Sequence, residues 1–318
     1  MANIMTELKE KIKGQGIRIV FPESSDSRII EAAKRLAEEA LVIPVLIGKK
    51  EELPNIKGCE ILDPETYPDY NEFVQAMVER RAGKCSYEEA KEILKNHNYF
   101  GTMLVYMNRA QGLVSGAIHS TGDTVRPALQ IIKTKPDVSK TFGYFLMIRD
   151  DEKYIMGDCA INPNPDAKSL AEFAIESAKA AEMFGIEEPR VAMLSFSTNG
   201  SALTDETKKV REAVKHAKAK NSGYHIDGEM QFDAAFVKSV GEKKFPESHV
   251  AGNANTFIFP DLNSGNIGYK IAQRLGNFEA VGPILAGLNK PVNDLSRGCS
   301  AQDAYNTAII TAAQSLID

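Results

Sequence analysis

Short apolar runs alternate with amphipathic segments along the first part of the chain. Residues 17–21 are apolar except for Arg18, and residues 42–47 form a continuous apolar run. Residues 27–40 between them place apolar side chains at three- and four-residue intervals. Strand, helix and strand in this order predict parallel β-strands joined by crossover helices. Continuous apolar runs are typical of strands buried on both faces. The pattern therefore predicts an α/β fold.

The same alternation continues to the C-terminus. Further strands are predicted at 59–62, 112–118, 142–148, 154–160, 191–196, 225–229 and 256–259, and helices at 73–83, 87–95, 169–184, 205–220 and 263–275. The polar residues 150–153 predict a hairpin between two of these strands. Residues 278–288 are interpreted as a segment that returns the chain to the first domain, and residues 289–294 as a polar turn. An Ala-rich helix closes the chain.

The length of the chain predicts two domains. Its 318 residues exceed the ~250–300 at which single cores stop growing. A polar segment containing proline, residues 134–139, is a suitable boundary. We expect residues 1–138 plus 289–318 to form the first α/β domain and residues 139–288 to form the second.

Composition restricts the possible functions. The chain is 43% hydrophobic and 25% charged, and its net charge of -5 argues against general nucleic-acid binding. The cysteines at 59, 85, 159 and 299 form no CxxC pair, as expected for reduced thiols in a cytoplasmic protein. No apolar run approaches the ~20 residues of a membrane span. Residues 1–16 lack the apolar core of a signal peptide.

The C-terminal region holds the most suggestive chemistry. Ser296, Arg297 and Asp303 supply a hydroxyl, a guanidinium and a carboxylate within eight positions. If a helix begins near Ser296, these groups gather at its N-terminus, where anions are stabilised. The structural alternative is that Ser296 or Ser300 caps the helix, with Ser300 and Asp303 as a capping box. The residue types alone favour the capping interpretation.

Two residues near the end of the predicted strand 112–118 are further candidates. Arg126 lies in the first turn of the following helix and has the forked geometry that suits a phosphate. The alternative is that Arg126 forms a surface ion pair with Asp123, and the motif by itself favours this alternative. His119 is a candidate general base, but no partner for it is visible in the sequence, so a structural histidine is the favoured interpretation.

Other motifs are weaker. Asp227, Glu229 and Asp233 suggest a Mg²⁺ site if the last two share a helix face, although turn and capping roles are preferred. Cys159 is a candidate acyl carrier, although a buried structural cysteine is the commoner case. The chain contains neither GxGxxG nor GxxxxGK[ST], so no nucleotide-binding signature is present.

Several long motifs together resemble the phosphate acetyltransferases. They are FPE at 21–23, FGTMLV at 100–105, HSTGDTVRPALQIIKT at 119–134, and NDLSRG at 293–298 followed by Asp303. The resemblance covers essentially the whole chain. It implies two α/β domains with an interdomain cleft, a fold similar to the isocitrate and isopropylmalate dehydrogenases, and a homodimer formed through the second domain. It also implies the reaction acetyl-CoA + phosphate ⇌ CoA + acetyl phosphate, with coenzyme A as a substrate, no permanently bound cofactor and no metal.

The resemblance assigns catalytic roles to three residues. Asp303 matches the general base for the coenzyme A thiol, Arg297 the arginine that binds the acyl phosphate, and Ser296 the serine that hydrogen-bonds the reacting centre. The implied chemistry is direct attack of the thiolate in a ternary complex.

The resemblance also assigns substrate-binding arginines. Arg126 and Arg80 match arginines that bind coenzyme A or the phosphorylated substrate, and Arg81 stays an alternative to Arg80 because the local match is loose. The family often has a lysine where Asn199 stands here, so Asn199 receives no role.

Three other functions are weighed against this one. A phosphate butyryltransferase has the same chemistry with a longer acyl pocket. A metal-dependent decarboxylating dehydrogenase of related fold has only the three-carboxylate cluster in its favour. A non-catalytic acetyl-CoA-sensing module is opposed by the complete set of Ser296, Arg297 and Asp303.

Overall fold

The computed structural model describes residues 2–317. By internal contacts the chain divides into two units. Ala2–Lys133 and the chain from Leu288 onward form one, here called the terminal unit, and Thr134–Gly287 form the other, the central unit. The breaks at 133/134 and 287/288 compare with predicted boundaries at 138/139 and 288/289.

The strands, in chain order, are β1 (Arg18–Phe21), β2 (Ile43–Ile47), β3 (Glu60–Leu62), β4 (Gly112–Ser115), β5 (Phe142–Arg149), β6 (Glu152–Gly157), β7 (Arg190–Leu194), β8 (His225–Met230), β9 (Thr256–Ile258), β10 (Glu279–Ala286) and β11 (Val292–Asp294). The helices are α1 (Ala2–Ile12), α2 (Ser27–Glu38), α3 (Tyr70–Arg81), α4 (Tyr87–Ile93), α5 (His97–Tyr106), α6 (Thr121–Pro127), α7 (Ala167–Met183), α8 (Asp205–Ala219), α9 (Phe232–Phe236), α10 (Lys238–Lys244), α11 (Leu262–Leu275) and α12 (Ala301–Gln314), with a π-helical turn at Ala128–Ile132.

The terminal unit contains a parallel sheet in the order β11-β4-β1-β2-β3. The chain leaves β1 toward β2 and later returns on the other side of β1 as β4. This reversal is the position in an open parallel sheet where ligand sites form, at the carboxyl ends of the strands. The predicted parallel α/β pattern is confirmed for this unit.

Both faces of this sheet are covered. On one face, Phe73 of α3 and Phe100 of α5 join Val20, Val45 and Leu113 of the strands in one buried cluster. Helix α12 packs against α1, α2 and β4. Strands covered on two sides must be apolar throughout, which explains the continuous apolar runs in the sequence.

The central unit contains a mixed sheet in the order β10-β5-β6-β9-β7-β8. Strands β5 and β6 pair antiparallel, with Phe145 opposite Met156, so the predicted hairpin is confirmed. Strands β6, β9, β7 and β8 are parallel. Helix α7 is almost entirely buried and packs against α8.

Two predictions about local structure were wrong. The segment interpreted as a return connection is the edge strand β10, whose pairing with β5 is interrupted between Val281 and Ile284, where Pro283 lies. Proline and a bulge at a sheet edge conceal a strand in the sequence. No secondary structure was predicted for the charged segment 1–16, which contains α1.

The predicted polar turn 289–294 contains the buried strand β11. The Asn293 side chain is fully buried, and its amide nitrogen donates to Thr311 Oγ1 at 2.8 Å and to Gln314 Oε1 at 2.7 Å. Because those partners lie on α12, this polar residue is satisfied inside the unit. Three residues with a polar centre give no strand pattern in sequence.

Within residues 2–317, no helix combines the length and the apolar character needed to cross a membrane.

Candidate active site

Three loops follow β1, β4 and β11, which are neighbours in the sheet of the terminal unit. They comprise residues 22–26, 116–120 and 295–300 and are called here the carboxyl-edge loops. Because parallel strands end at the same edge, the loops emerge side by side at the reversal in strand order. All the terminal-unit candidates except Arg80 and its alternative Arg81 lie in these loops or in the helices that directly follow them.

Glu23 organises the second loop from the first. Its carboxylate is nearly inaccessible and accepts hydrogen bonds from four successive backbone N–H groups. Oε2 accepts from Gly116 at 2.9 Å and Ala117 at 2.7 Å, and Oε1 from Ile118 at 2.8 Å and His119 at 2.7 Å. The ring of His119 also approaches Oε1, with Nδ1 at 2.8 Å. One buried carboxylate therefore holds the whole turn after β4, and it is the partner of His119 that the sequence did not reveal.

Arg28, in the first turn of α2, joins all three loops. Its guanidinium donates to both carboxylate oxygens of Asp26, to Ala117 O at 2.9 Å, to Arg297 O at 2.8 Å and to Cys299 O at 2.9 Å. The same contact holds the pKa of Asp26 below its ordinary value. Since one guanidinium touches the second and third loops together, these loops lie against each other.

The third loop presents Ser296 and Arg297 at the surface. Cys299 N donates to Ser296 O at 2.8 Å, which closes a tight turn, and Gly298 N donates to Ser296 Oγ at 3.2 Å. Both side chains are exposed, and among the described residues the Arg297 guanidinium forms no ion pair. The turn thus offers a hydroxyl and an uncompensated cation.

Asp303 lies in the first turn of α12, directly after this turn. Ser300 is the N-cap, and a complete capping box is present, with Asp303 Oδ2 accepting from Ser300 N and Oγ at 2.8 Å each. The capping interpretation is thus correct for Ser300, and the helix starts at Ala301 instead of near Ser296. Oδ1 of Asp303 accepts no hydrogen bond among the described side chains, so half of this exposed carboxylate is available.

Asp294 supports the base of the site at the end of β11. It is buried, and its Oδ2 accepts from Thr121 Oγ1 at 2.6 Å, which ties α6 to the third loop. Oδ1 has no hydrogen-bond partner among the described residues. Burial raises the pKa of Asp294, and the hydroxyl of Thr121 opposes that rise. Burial likewise raises the pKa of Cys299 in the same loop.

The two arginines predicted to bind substrate differ in their surroundings. Arg126 is exposed, and its only ion pair among the described residues is a loose one to Asp123 at 3.9 Å. The pairing expected from the motif alone is therefore present but weak. Arg80 donates from Nε to Ile131 O at 2.6 Å and from Nη2 to Ile132 O at 2.9 Å, and so caps the π-helical turn. Two of its three guanidinium nitrogens therefore hold backbone carbonyl groups.

The carboxylates of the central unit do not gather. Glu229 lies on β8 and Asp233 on α9, so they do not share a helix face as predicted. Asp227 pairs with Lys218 at 2.9 Å, and Asp233 with Lys244 at 3.0 Å. Among the described residues, no group of three or more histidine, cysteine, aspartate or glutamate side chains is placed to hold a metal.

Cys159 is fully buried, and burial raises its pKa well above the ordinary thiol value. A reactive cysteine needs an accessible thiolate. The structure therefore favours the structural interpretation of Cys159 over the acyl carrier.

Sequence reasoning assigned no role to Glu23 or Arg28. The first appeared only as part of the FPE motif, and an acidic residue directly after a buried strand was its one available signal. No sequence signal identified Arg28, because the carbonyl groups that accept its hydrogen bonds, at Ala117 and Arg297, lie far along the chain.

Taken together, the carboxyl-edge loops present a hydroxyl, a guanidinium and a half-free carboxylate on a framework fixed from behind. A guanidinium and a hydroxyl can stabilise an oxyanion, and a carboxylate can accept a proton. The arrangement suits acyl or phosphoryl chemistry on an anionic substrate.

Known proteins resemble this chain over its full length. The sequence profile of the family described as Phosphate acetyl/butaryl transferase matches residues 3–312. A phosphate acetyltransferase from Bacillus subtilis strain 168 is 59% identical over 324 residues, covering 99% of this chain and 100% of the relative. A solved phosphotransacetylase from Streptococcus pyogenes is 53% identical with a TM-score of 0.98, covering 100% of this chain and 99% of that one. The EutD phosphotransacetylase from Staphylococcus aureus is 55% identical with a TM-score of 0.94, covering 99% and 98%.

A more distant likeness concerns the fold alone. A 4-hydroxythreonine-4-phosphate dehydrogenase from Klebsiella pneumoniae superposes with a TM-score of 0.55 at 15% identity, covering 94% of this chain and 100% of that one. This agrees with the expected two-domain, dehydrogenase-like α/β fold.

Proposed function

The chain belongs to the phosphate acetyl/butaryl transferase family, and on that premise we propose how its residues perform the family's chemistry. It is an acyltransferase that interconverts acetyl-CoA and phosphate with coenzyme A and acetyl phosphate. The observation that supports the mechanism is the exposed turn in which Ser296 and Arg297 directly precede Asp303 at the head of α12.

Asp303 is the general base for the coenzyme A thiol. A thiol with a pKa of ~8.5 is mostly protonated at neutral pH, so a neighbouring carboxylate increases the reactive thiolate. Oδ2 is engaged by Ser300, which fixes the orientation of the carboxylate, and Oδ1 remains to accept the proton. The capping box and the catalytic role are therefore compatible.

Arg297 and Ser296 stabilise the charge that develops during transfer. Attack of the thiolate on acetyl phosphate places negative charge on the carbonyl oxygen and releases phosphate. Arg297 has no competing carboxylate among the described residues, and its backbone is anchored by Arg28. A guanidinium held in this way stabilises the oxyanion without reorganisation.

No covalent intermediate on the protein is required. Acetyl phosphate is already activated, and holding it beside the thiol supplies much of the rate. The buried thiol of Cys159 supports direct transfer in a ternary complex.

Arg126 binds coenzyme A or the phosphorylated substrate through its exposed guanidinium. Arg80 is assigned the same function in the proposal, with Arg81 as the alternative. The carbonyl contacts of Arg80 leave Nη1 for a substrate and place the side chain rigidly.

The protein is further proposed to be a cytoplasmic homodimer that associates through the central unit. The support is an apolar stripe on α11, where Ile267, Ile271 and Leu275 recur at four-residue spacing and are more than half exposed. Light scattering on the purified chain tests this; substitution of Ile271 by Asp should yield monomers, and a wild-type monomer would contradict it.

The test of the activity measures thioester formation from acetyl phosphate and coenzyme A without added metal. Wild type, Arg297→Ala and Asp303→Asn are compared, and we expect each variant to lose at least about 100-fold in kcat/KM. Turnover that survives Asp303→Asn would remove the general-base role but leave the activity. A wild type that binds acetyl-CoA and forms no thioester would refute the enzymatic function.

A further inference from the structure

The His119 ring contacts Glu23 through one nitrogen, and its other nitrogen faces away from that contact. The ring is about one third exposed (35%), whereas the Glu23 carboxylate behind it is only 1% exposed. Nδ1 lies 2.8 Å from Glu23 Oε1, on the buried side. Nε2 is on the opposite side of the ring and therefore faces away from the carboxylate.

The tautomer follows from the other contacts of Glu23. Four backbone N–H groups, which can only donate, already point at its two oxygens. The two carboxylate oxygens therefore act as acceptors on this side, so Nδ1 carries the hydrogen and donates it. In a neutral imidazole with hydrogen on Nδ1, Nε2 is an acceptor.

The loop that carries His119 adjoins the residues proposed to bind the anionic substrate. Arg28 contacts Ala117 O and Arg297 O together, so the loop that ends in His119 lies against the loop that carries Arg297. Arg297 is free of ion pairs among the described residues, and Arg126 is only loosely paired. The cations attract an oxyanion but can only donate, whereas the imidazole adds an acceptor.

We propose that His119 contacts the phosphate substrate through Nε2, accepting a hydrogen bond from its P–OH group and thereby selecting phosphate over sulfate. This proposal rests on the proposed function. At neutral pH both ions of inorganic phosphate carry a hydroxyl, whereas sulfate carries none. The Nε2 lone pair repels a sulfate oxygen, which carries no hydrogen, whereas it accepts a hydrogen bond from the P–OH group. An acceptor in an anion site therefore discriminates by weakening the binding of sulfate.

The experiment uses two substitutions that keep different halves of the ring. In His119→Asn the amide nitrogen takes the place of Nδ1, which keeps the bond to Glu23 and removes Nε2. In His119→Gln the amide takes the place of Nε2 and the Glu23 bond is lost. His216→Asn, at an exposed position on α8, is the control for the same chemical change.

Initial rates are measured with acetyl-CoA and phosphate as each substrate is varied, and with sulfate as an inhibitor. We expect His119→Asn to melt as wild type but to raise the KM for phosphate about 10–100-fold, with the KM for acetyl-CoA within about two-fold. The ratio of the sulfate Ki to the phosphate KM should fall. A phosphate KM within about two-fold of wild type would show that the ring only supports the loop. A rise confined to the acetyl-CoA KM would place the ring against coenzyme A instead.

Calorimetric titration keeps this test separate from the activity itself. Inorganic phosphate and sulfate are titrated into wild type and His119→Asn, with no turnover needed. Weaker phosphate binding and unchanged or stronger sulfate binding in the variant would support the contact even if the wild type made no acetyl phosphate. Equal phosphate affinity of the two proteins would overturn it.

Discussion

Gly116 occupies the most crowded position of the carboxyl-edge loops, at the exit of β4. Its φ of +112° is one that side chains rarely adopt. A Cβ built there would overlap Asp294 Oδ1 and Leu295 O and would lie 2.6 Å from Leu295 N. Two of these three atoms are backbone, and Leu295 N is itself bound to Ser115 O at 2.7 Å. These backbone atoms cannot move away from the added Cβ as the end of a flexible side chain could.

We therefore expect Gly116→Ala to be strongly destabilising. A positive φ costs a residue with a Cβ ~1–2 kcal/mol, and overpacking of a tight contact costs ~1–3 kcal/mol. The two add to about 2–5 kcal/mol of unfolding free energy. Because relief of the clash must displace Leu295, the turn at Ser296 and Arg297 moves with it, and we expect acetyl transfer to fall as well.

Gly122, six residues later, is the matched control. A Cβ there has nothing nearer than 3.7 Å, and its φ is not in the left-handed region. Inside a helix, Gly→Ala stabilises by up to about 1 kcal/mol. Urea unfolding followed by circular dichroism compares both variants with wild type. If Gly116→Ala were as stable as Gly122→Ala, the close approach of β4 and the third loop would be refuted.

Two further predictions concern buried titratable groups. Because burial raises the folded-state pKa of Asp294, the contribution of this side chain to stability is fully present below the ordinary aspartate pKa and is lost as pH rises through the raised value. Asp294→Asn should therefore gain unfolding free energy relative to wild type as pH rises from acid to neutral; a difference independent of pH would contradict this. Cys159→Ala should retain acetyl transfer within about two-fold, and iodoacetamide should leave Cys159 unmodified in the folded protein, since the thiol is buried and its pKa is raised. Loss of activity in this variant would support a mechanism in which Cys159 carries the acyl group.

Much of the fold was predictable from local patterns. Strand β2 and all of β1 after Arg18 are apolar because both faces of their sheet are covered, and α2 between them has helical spacing. Each element is therefore recognisable from a few neighbouring residues. The hairpin of β5 and β6 was visible for the same reason. The residues Ser296, Arg297 and Asp303 were assigned as candidates because their motif is long and specific.

Sequence alone could not decide what depends on partners distant in the chain. Strand β11 was hidden because Asn293 is satisfied by side chains of α12, which no local pattern records. Edge strand β10 was hidden by the proline at its bulge.

The same limit applies to the site. Sequence determined which residue types stand in the NDLSRG and HSTGDT motifs, and so the kind of chemistry available. Only the tertiary structure decided that Glu23 binds the turn before His119 and that Arg28 holds that turn against Arg297. Hydrogen-bond partners far apart in sequence meet only when the parallel strands align their carboxyl ends, and this alignment converts three separate loops into one site.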